Sequence, residues 1–351
     1  MLNVRNKLDI LFYNFFLIFK YKLTSKKNII IWGRSPYLEY GPGIRTRRLK
    51  KIIEKESINK VFIYMQSHWP WYEIIVYTLV AKILSIKIIF NQNGIYTKKY
   101  NDNYKFNNLI LIFGIINSSH IIYQSWFCYK SIMNVCPEFL RNKIESKKFC
   151  RLINPSLDHK FKIKELKIKK HKILICNSFS KDKSYYSQYI LKLLPKLNIH
   201  KSIDEINIIG NICRTLNKEE IMGIKKLNKL NLCGKLSNKK VLNYINKSTV
   251  IIHLNYGDPC PNFISEVVSF GIPCILNKEG GAIEIAGNGS IYSKNLHTVE
   301  GYSMPKIEDV IKSLDKLIYN YKYHREQTLK RSKKLQLKNY VIKHKEIINN
   351  L

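Results

Sequence analysis

Along most of the chain, short β-branched apolar runs alternate with stretches in which apolar residues return every three or four positions. That pattern predicts parallel strands joined by helices. Strands are predicted over residues 28–33, 61–65, 87–90 and 119–123, and again over 172–177, 205–210, 231–236, 249–254 and 273–276. Helices are predicted over 44–55, 74–84, 107–116, 239–246, 263–270, 307–319 and 321–335. A lysine-rich stretch at 160–172 lacks strong apolar spacing and reads as a linker. The expected fold class is therefore α/β, two facing Rossmann-like doubly wound domains with a cleft between them. The expected boundaries are 1–27 for a basic, apolar N-terminal segment, 28–159 for the first domain, 160–172 for the linker and 173–320 for the second domain. A C-terminal helix and tail is expected over 321–351.

The densest chemistry lies in residues 249–287. A buried strand ends at Leu254 and opens into Asn255-Tyr256-Gly257-Asp258. Pro259 and Pro261 delay regular structure until Asn262, which the pattern predicts as a helix N-cap. Phe263, Ile264, Val267, Val268 and Phe270 keep helical spacing, Gly271 stops the helix, and Glu266 is expected in the first turn. A helix N-terminus offers unpaired N–H groups to a phosphate, and a carboxylate one turn in can take ribose hydroxyls. A second strand then delivers Glu279-Gly280-Gly281, whose missing side chains are expected to let backbone approach a ligand closely. Glu284 follows just inside the next helix.

Asp258, Glu266, Gly271, Pro273, Gly280, Gly281 and Glu284 resemble the donor-binding segment of the family-4 retaining glycosyltransferases of the GT-B fold. That pattern is an acid, seven residues, a Glu, a turn ending in Pro, and a Gly-Gly loop followed by Glu; here Asp258 stands where Glu is commoner. The resemblance implies that Asp258 orients the donor sugar, Glu266 holds the ribose, and a lysine meets the pyrophosphate. Lys183 is the expected lysine and Lys181 the second choice, while Asn177 and Ser178 stand where relatives carry an Arg. The same resemblance places Gly210, Gly234, Leu236, Asn262, Phe263, Gly280 and Gly281 on the donor. It makes Gly41, Gly43 and Arg45 candidates for the diphosphate or acceptor side, and it implies that the last helix, at 321–351, crosses back to the first domain. Further acceptor or cleft candidates are Asn93, Gly94, Gln124 and Ser125 on strand-end loops, and His68, which among aromatics on a loop suits either an acceptor sugar or a packed surface cluster. The run from Arg151 to Asp158 resembles the family's hinge between domains, and the loops at 91–96 and 123–128 resemble a subgroup found in bacterial polysaccharide synthesis.

Charge and cysteine content refine this picture only slightly. The formal net charge of +35 in 351 residues favours an anionic membrane or a nucleotide-sugar partner. Ile, Asn and Lys are abundant in every element, and no nucleic-acid-binding motif accompanies the charge, so nucleic acid is not an expected partner. The eight cysteines form no CxxC pair or zinc spacing and are expected as reduced thiols in a cytoplasmic compartment. There is no D-x-D sequence, and no metal or other cofactor is expected. The apolar run at 11–19 is too short to span a bilayer; it suits either an interfacial helix or packing on the protein itself. The expected function is sugar transfer from a nucleotide-diphosphate donor to a glycan or lipid-linked glycan, with retention, on the inner face of a bacterial membrane. The alternatives are a nucleotide-sugar epimerase of the same fold and a catalytically weakened protein that binds an anionic polymer or membrane.

Overall fold

The computed structural model describes residues 16, 29–32, 46–47, 49–51, 53, 61–98, 101–155, 168–179, 184–292, 296–299 and 301–351. The chain divides into two compact units, residues 1–153 with 338–351, and residues 154–337.

The first unit is built on a five-stranded parallel sheet whose strands lie in chain order: β1 (Ile29–Ile31), β2 (Val61–Gln66), β3 (Lys87–Gln92), β4 (His120–Tyr123) and β5 (Phe149–Arg151). Alternation along the strands sorts their side chains onto two faces. Ile63, Met65, Ile88, Phe90, Ile121 and Tyr123 pack with Ile74, Tyr77, Leu111, Ile112 and Ile132 of the connecting helices. Gly114 lets helix Tyr104–Ile116 sit close, since a Cβ there would come within 2.6 Å of the Phe90 ring. Crossovers between parallel strands are right-handed, so strands added in one direction send their helices to one face. The other face, which carries Tyr64 and Asn91, is met by helix Leu337–Asn349, whose His344 bonds Tyr64.

The second unit reverses its winding. Its sheet runs β11 (Ile291–Tyr292), β10 (Cys274–Leu276), β9 (Val250–His253), β6 (His171–Cys176), β7 (Ile203–Ile209), β8 (Leu230–Gly234), all described pairs along these strands being parallel. Among the described strands, the reversal that makes a sheet doubly wound lies here, between β6 and β9. Ile173, Ile175, Ile206, Ile208, Val250, Ile252 and Ile275 form one buried face with helices Ser184–Ile199 and Ile307–Tyr319. The pattern read from the sequence does not single out helix Ser184–Ile199. That helix carries Pro195 in its interior and buries Tyr185, Tyr186 and Tyr189 beside Ile190, Leu193 and Leu197. A hairpin of β12 (Leu296–Val299) and β13 (Tyr302–Pro305) completes the unit. Helix Tyr321–Lys334 packs within this unit, with Thr328 buried against Gly289. Most of the expected linker, residues 160–172, lies outside the described residues.

Candidate functional site

In an open parallel sheet, a ligand finds its place beyond the carboxyl ends of the strands where the strand order reverses. Strands β6 and β9 end there. The Asn177 side-chain amide donates to Asn255 Oδ1 at 2.6 Å, tying the two loops, and the Ser178 N–H donates to Asn177 Oδ1 at 2.7 Å. Asn177, which occupies the place of the expected Arg, is thus engaged within the loop. Gly210, with φ +112°, borders the same corner, where a Cβ would fall 1.8 Å from the Asn177 carbonyl oxygen. Its N–H donates to the Gly234 carbonyl at 2.7 Å. Gly234 has φ +66° with open space about it, and half-buried Leu236 follows.

The acidic loop is held from two sides. Asp258 and Gly280 bridge as a parallel pair, Gly281 N–H donates to the Asp258 carbonyl at 2.8 Å, and Gly257 N–H donates to the Glu279 carbonyl at 3.0 Å. Gly280 has φ +137°, and a Cβ would stand 2.8 Å from the Asp258 carbonyl oxygen. The sequence predicts that these glycines let backbone approach a ligand; at Gly280 the close approach within the unit is to the Asp258 backbone, which makes the glycine a clamp on the acidic loop. Buried Asn277 supports the turn, donating to the Ser303 carbonyl at 2.9 Å and accepting from the Glu279 N–H at 2.9 Å.

Helix Asn262–Ser269 departs from expectation at its start. Pro261 is the N-cap and Asn262 is the first helical residue, because the proline ring already holds the extended backbone that a cap requires. The Asn262 side chain instead accepts a hydrogen bond from Asn154 Nδ2 at 3.1 Å. Asn154 also donates to the Cys260 carbonyl at 3.3 Å, and its own carbonyl accepts from Ser265 Oγ at 3.2 Å. Glu266 accordingly falls in the second turn rather than the first. From there its carboxylate acts on the Cys176 thiol at the end of β6. Burial first, and then this carboxylate, push that thiol up to about 12. The Phe263 ring lies 5.8 Å from that of His253, a buried residue at the end of β9. Arg331 donates to the Ile285 carbonyl at 2.8 Å and to that of Glu284, fastening helix Tyr321–Lys334 to the segment after the Gly-Gly loop.

The expected residues of the first unit gather at the carboxyl ends of β2, β3 and β4. Ser67 Oγ donates to Asn93 Oδ1 and the Asn93 N–H returns a bond to Ser67 at 3.0 Å, joining the loop of His68 to that of Asn93 and Gly94. Gly94 accepts from the Gln92 side chain. Gln124 is buried and donates to Asn91 Oδ1 at 2.7 Å; Asn91 donates to Tyr64 Oη at 2.7 Å; Tyr64 bonds His344 Nε2 at 2.9 Å. Ser125 is fully buried as the N-cap of helix Trp126–Val135, accepting from the Cys128 N–H at 3.1 Å. Reasoning from sequence passed over Tyr64 and His344, and it treated Asn154 only as part of a hinge. Asn154, placed directly before Pro155, carried a signal; Tyr64 and His344 carried none. Lys183, Lys181, Gly41, Gly43 and Arg45 lie outside the described residues.

No known protein family profile matches the chain, and no curated protein matches it in sequence. Solved structures do match. Anabaena HepE in complex with UDP-glucose superposes with a TM-score of 0.60 at 11% identity, covering 88% of this chain and 82% of that one. Sucrose-phosphate synthase from Thermosynechococcus elongatus gives a TM-score of 0.61 at 10% identity over 89% and 82%. A glycosyltransferase from Rickettsia africae gives 0.58 at 17% identity over 89% and 83%. The chain has the GT-B fold. Within this GT-B chain two residue clusters stand at strand carboxyl ends, one in each Rossmann-like unit. The carboxylates Asp258 and Glu266 belong to the unit with the reversed winding.

Proposed function

We propose that this protein is a glycosyltransferase that takes a sugar from a nucleotide-diphosphate donor bound at the β6–β9 reversal. The observation that carries the reading is one continuous unit there. Asp258 is clamped by Gly280 and Gly281, and Glu266, whose charge reaches Cys176 at the end of β6, rides on a helix whose start is pinned by Asn154. The GT-B fold supports it, and among proteins of similar structure HepE has been solved with UDP and with UDP-glucose.

In this reading Glu266 accepts hydrogen bonds from the ribose hydroxyls and Asp258 from those of the donor sugar. As the sugar leaves, negative charge grows on the diphosphate. Backbone N–H groups at the start of helix Asn262–Ser269, together with Lys183, stabilise it without reorganising. Transfer proceeds with retention and without a metal. The acceptor is a hydroxyl of a glycan or lipid-linked glycan of a bacterial surface polysaccharide, met on the cytoplasmic side of the membrane by Asn93 and His68, with buried Gln124 supporting the loop through Asn91.

Thermal-shift measurements with UDP-, GDP-, ADP-, dTDP- and CMP-sugars test the reading. One nucleotide class stabilises the wild type, and Glu266→Gln weakens that binding roughly ten- to hundredfold, as the loss of a hydrogen bond to a charged group does. Stabilisation by polyanions and by no nucleotide sugar overturns the transferase reading in favour of a polymer-binding protein. Release of an altered free sugar from labelled donor without acceptor favours an epimerase.

A further inference from the structure

Helices Trp71–Ile83 and Tyr104–Ile116 of the first unit are apolar on both sides. Their inner faces bury Ile74, Tyr77, Ala81, Leu111, Ile112 and Ile115 in the core. Their outer faces carry Tyr72, Leu79 and Ile83, spaced to form one stripe, with Phe106 and Leu109 on the neighbouring helix. Leu79, Phe106 and Leu109 are each 48% exposed and Ile83 is 77% exposed. Trp71, 49% exposed, joins the two, its ring 5.7 Å from Tyr72 and 5.8 Å from Phe106 in edge-on contacts. A surface helix ordinarily turns polar residues outward, and a contiguous apolar patch of this kind marks a binding surface.

The charge carried by these two helices and the segments between and beside them selects the occupant. Among the described residues from 71 to 117, the exposed charges are Lys82, Lys87, Lys98 and Lys105 against Asp102, while Glu73 is buried. A second copy of a chain with a net charge of +35 would bring like charge to this rim. An anionic lipid surface is complementary to it, and Trp and Tyr settle where apolar chains meet headgroups. No helix among the described residues is long and apolar enough to cross a membrane, so the two helices would lie in the interface plane. We propose that the outer face of helices Trp71–Ile83 and Tyr104–Ile116 docks on an anionic bilayer, with Trp71, Phe106 and Leu79 entering the lipid. The proposal deepens the reading above by naming the surface on which a lipid-linked acceptor is met, yet it stands on the first unit alone.

Co-sedimentation of the full chain with phosphatidylcholine vesicles, and with phosphatidylcholine mixed with phosphatidylglycerol, tests it. Binding to the mixed vesicles is expected to fall at least tenfold in Trp71→Ser/Phe106→Ser and in Leu79→Ser/Ile83→Ser. It should be unchanged in Phe139→Ser, an apolar residue on another helix that is exposed at least as far as any of these four. Nucleotide-sugar stabilisation, read on the same proteins, should stay as in the wild type, which separates failure of docking from failure of the donor site. Equal vesicle binding by wild type and both double variants overturns the proposal. So does a wild-type dimer in sedimentation velocity that both double variants convert to monomer while vesicle binding persists, since the face then covers a second copy.

Discussion

The Gly280 backbone lies against that of Asp258, with the Gly281 N–H donating to the Asp258 carbonyl at 2.8 Å and no room at residue 280 for a side chain. The pair joins the loop after β9 to the loop after β10, so the position of the Asp258 carboxylate depends on a residue that has no chemistry of its own. Gly280→Ala therefore combines a left-handed backbone with a contact of 2.8 Å to the Asp258 carbonyl oxygen. It should lower unfolding free energy by about 1–3 kcal/mol in denaturant titration and abolish stabilisation by the nucleotide sugar. Gly301→Ala, at φ +78° in open space on the turn between β12 and β13, isolates the backbone cost and should leave nucleotide binding in place.

Asn154 spans the loop and the helix that carries Glu266, and it is 2% exposed. Removing its amide leaves the Cys260 carbonyl and the Asn262 side chain without that donor. Asn154→Ala should cost about 1–3 kcal/mol in chemical denaturation and weaken nucleotide binding alongside. Asn154→Asp keeps the shape but sets an acceptor against two acceptors, and should be no better than alanine in either measurement.

Burial pushes the thiols of Cys176 and Cys274 up to about 12 from an ordinary 9.0, the Glu266 carboxylate adding to the effect on Cys176 and a Ser290 hydrogen bond opposing it on Cys274. Between those values the unfolded chain has lost protons that the folded chain retains. Stability is therefore present in full below pH 9 and falls as pH rises toward 12. Cys274→Val should flatten that fall in unfolding curves taken along the alkaline range. Glu266→Gln removes the negative neighbour and lowers the Cys176 value, so iodoacetamide should label Cys176 faster in that variant at mildly alkaline pH; an unchanged rate would separate Glu266 from the end of β6.

In the first unit the direction of every bond in the Gln124–Asn91–Tyr64–His344 chain follows from its donors. The two amides donate in turn, so the Tyr64 hydroxyl donates to His344 Nε2, and His344 Nδ1 carries the proton facing the Tyr340 carbonyl at 3.0 Å. Tyr64→Phe leaves Nε2 and the Asn91 amide without this partner inside the unit. It should cost about 1–3 kcal/mol and raise amide hydrogen exchange across helix Leu337–Asn349 before the strands.

The local sequence determined the type of most elements, because the apolar period that separates strand from helix is written in neighbouring residues. It also marked Asp258, Glu266, Gly280 and Gly281, whose spacing lies within one strand-loop-helix-strand unit. Partnership at a distance was decided by the tertiary structure alone. Strands that look alike in sequence pair in chain order in the first unit and reverse in the second, and nothing local distinguishes the two outcomes. The contact of Gly280 with Asp258 is invisible until the two loops are seen together, and Asn262 reads as a cap until Pro261 is seen in that position. Tyr64 and His344 stand 280 positions apart, and a hydrogen bond closed across that distance depends on the packing of a whole sheet, which no window of the chain encodes.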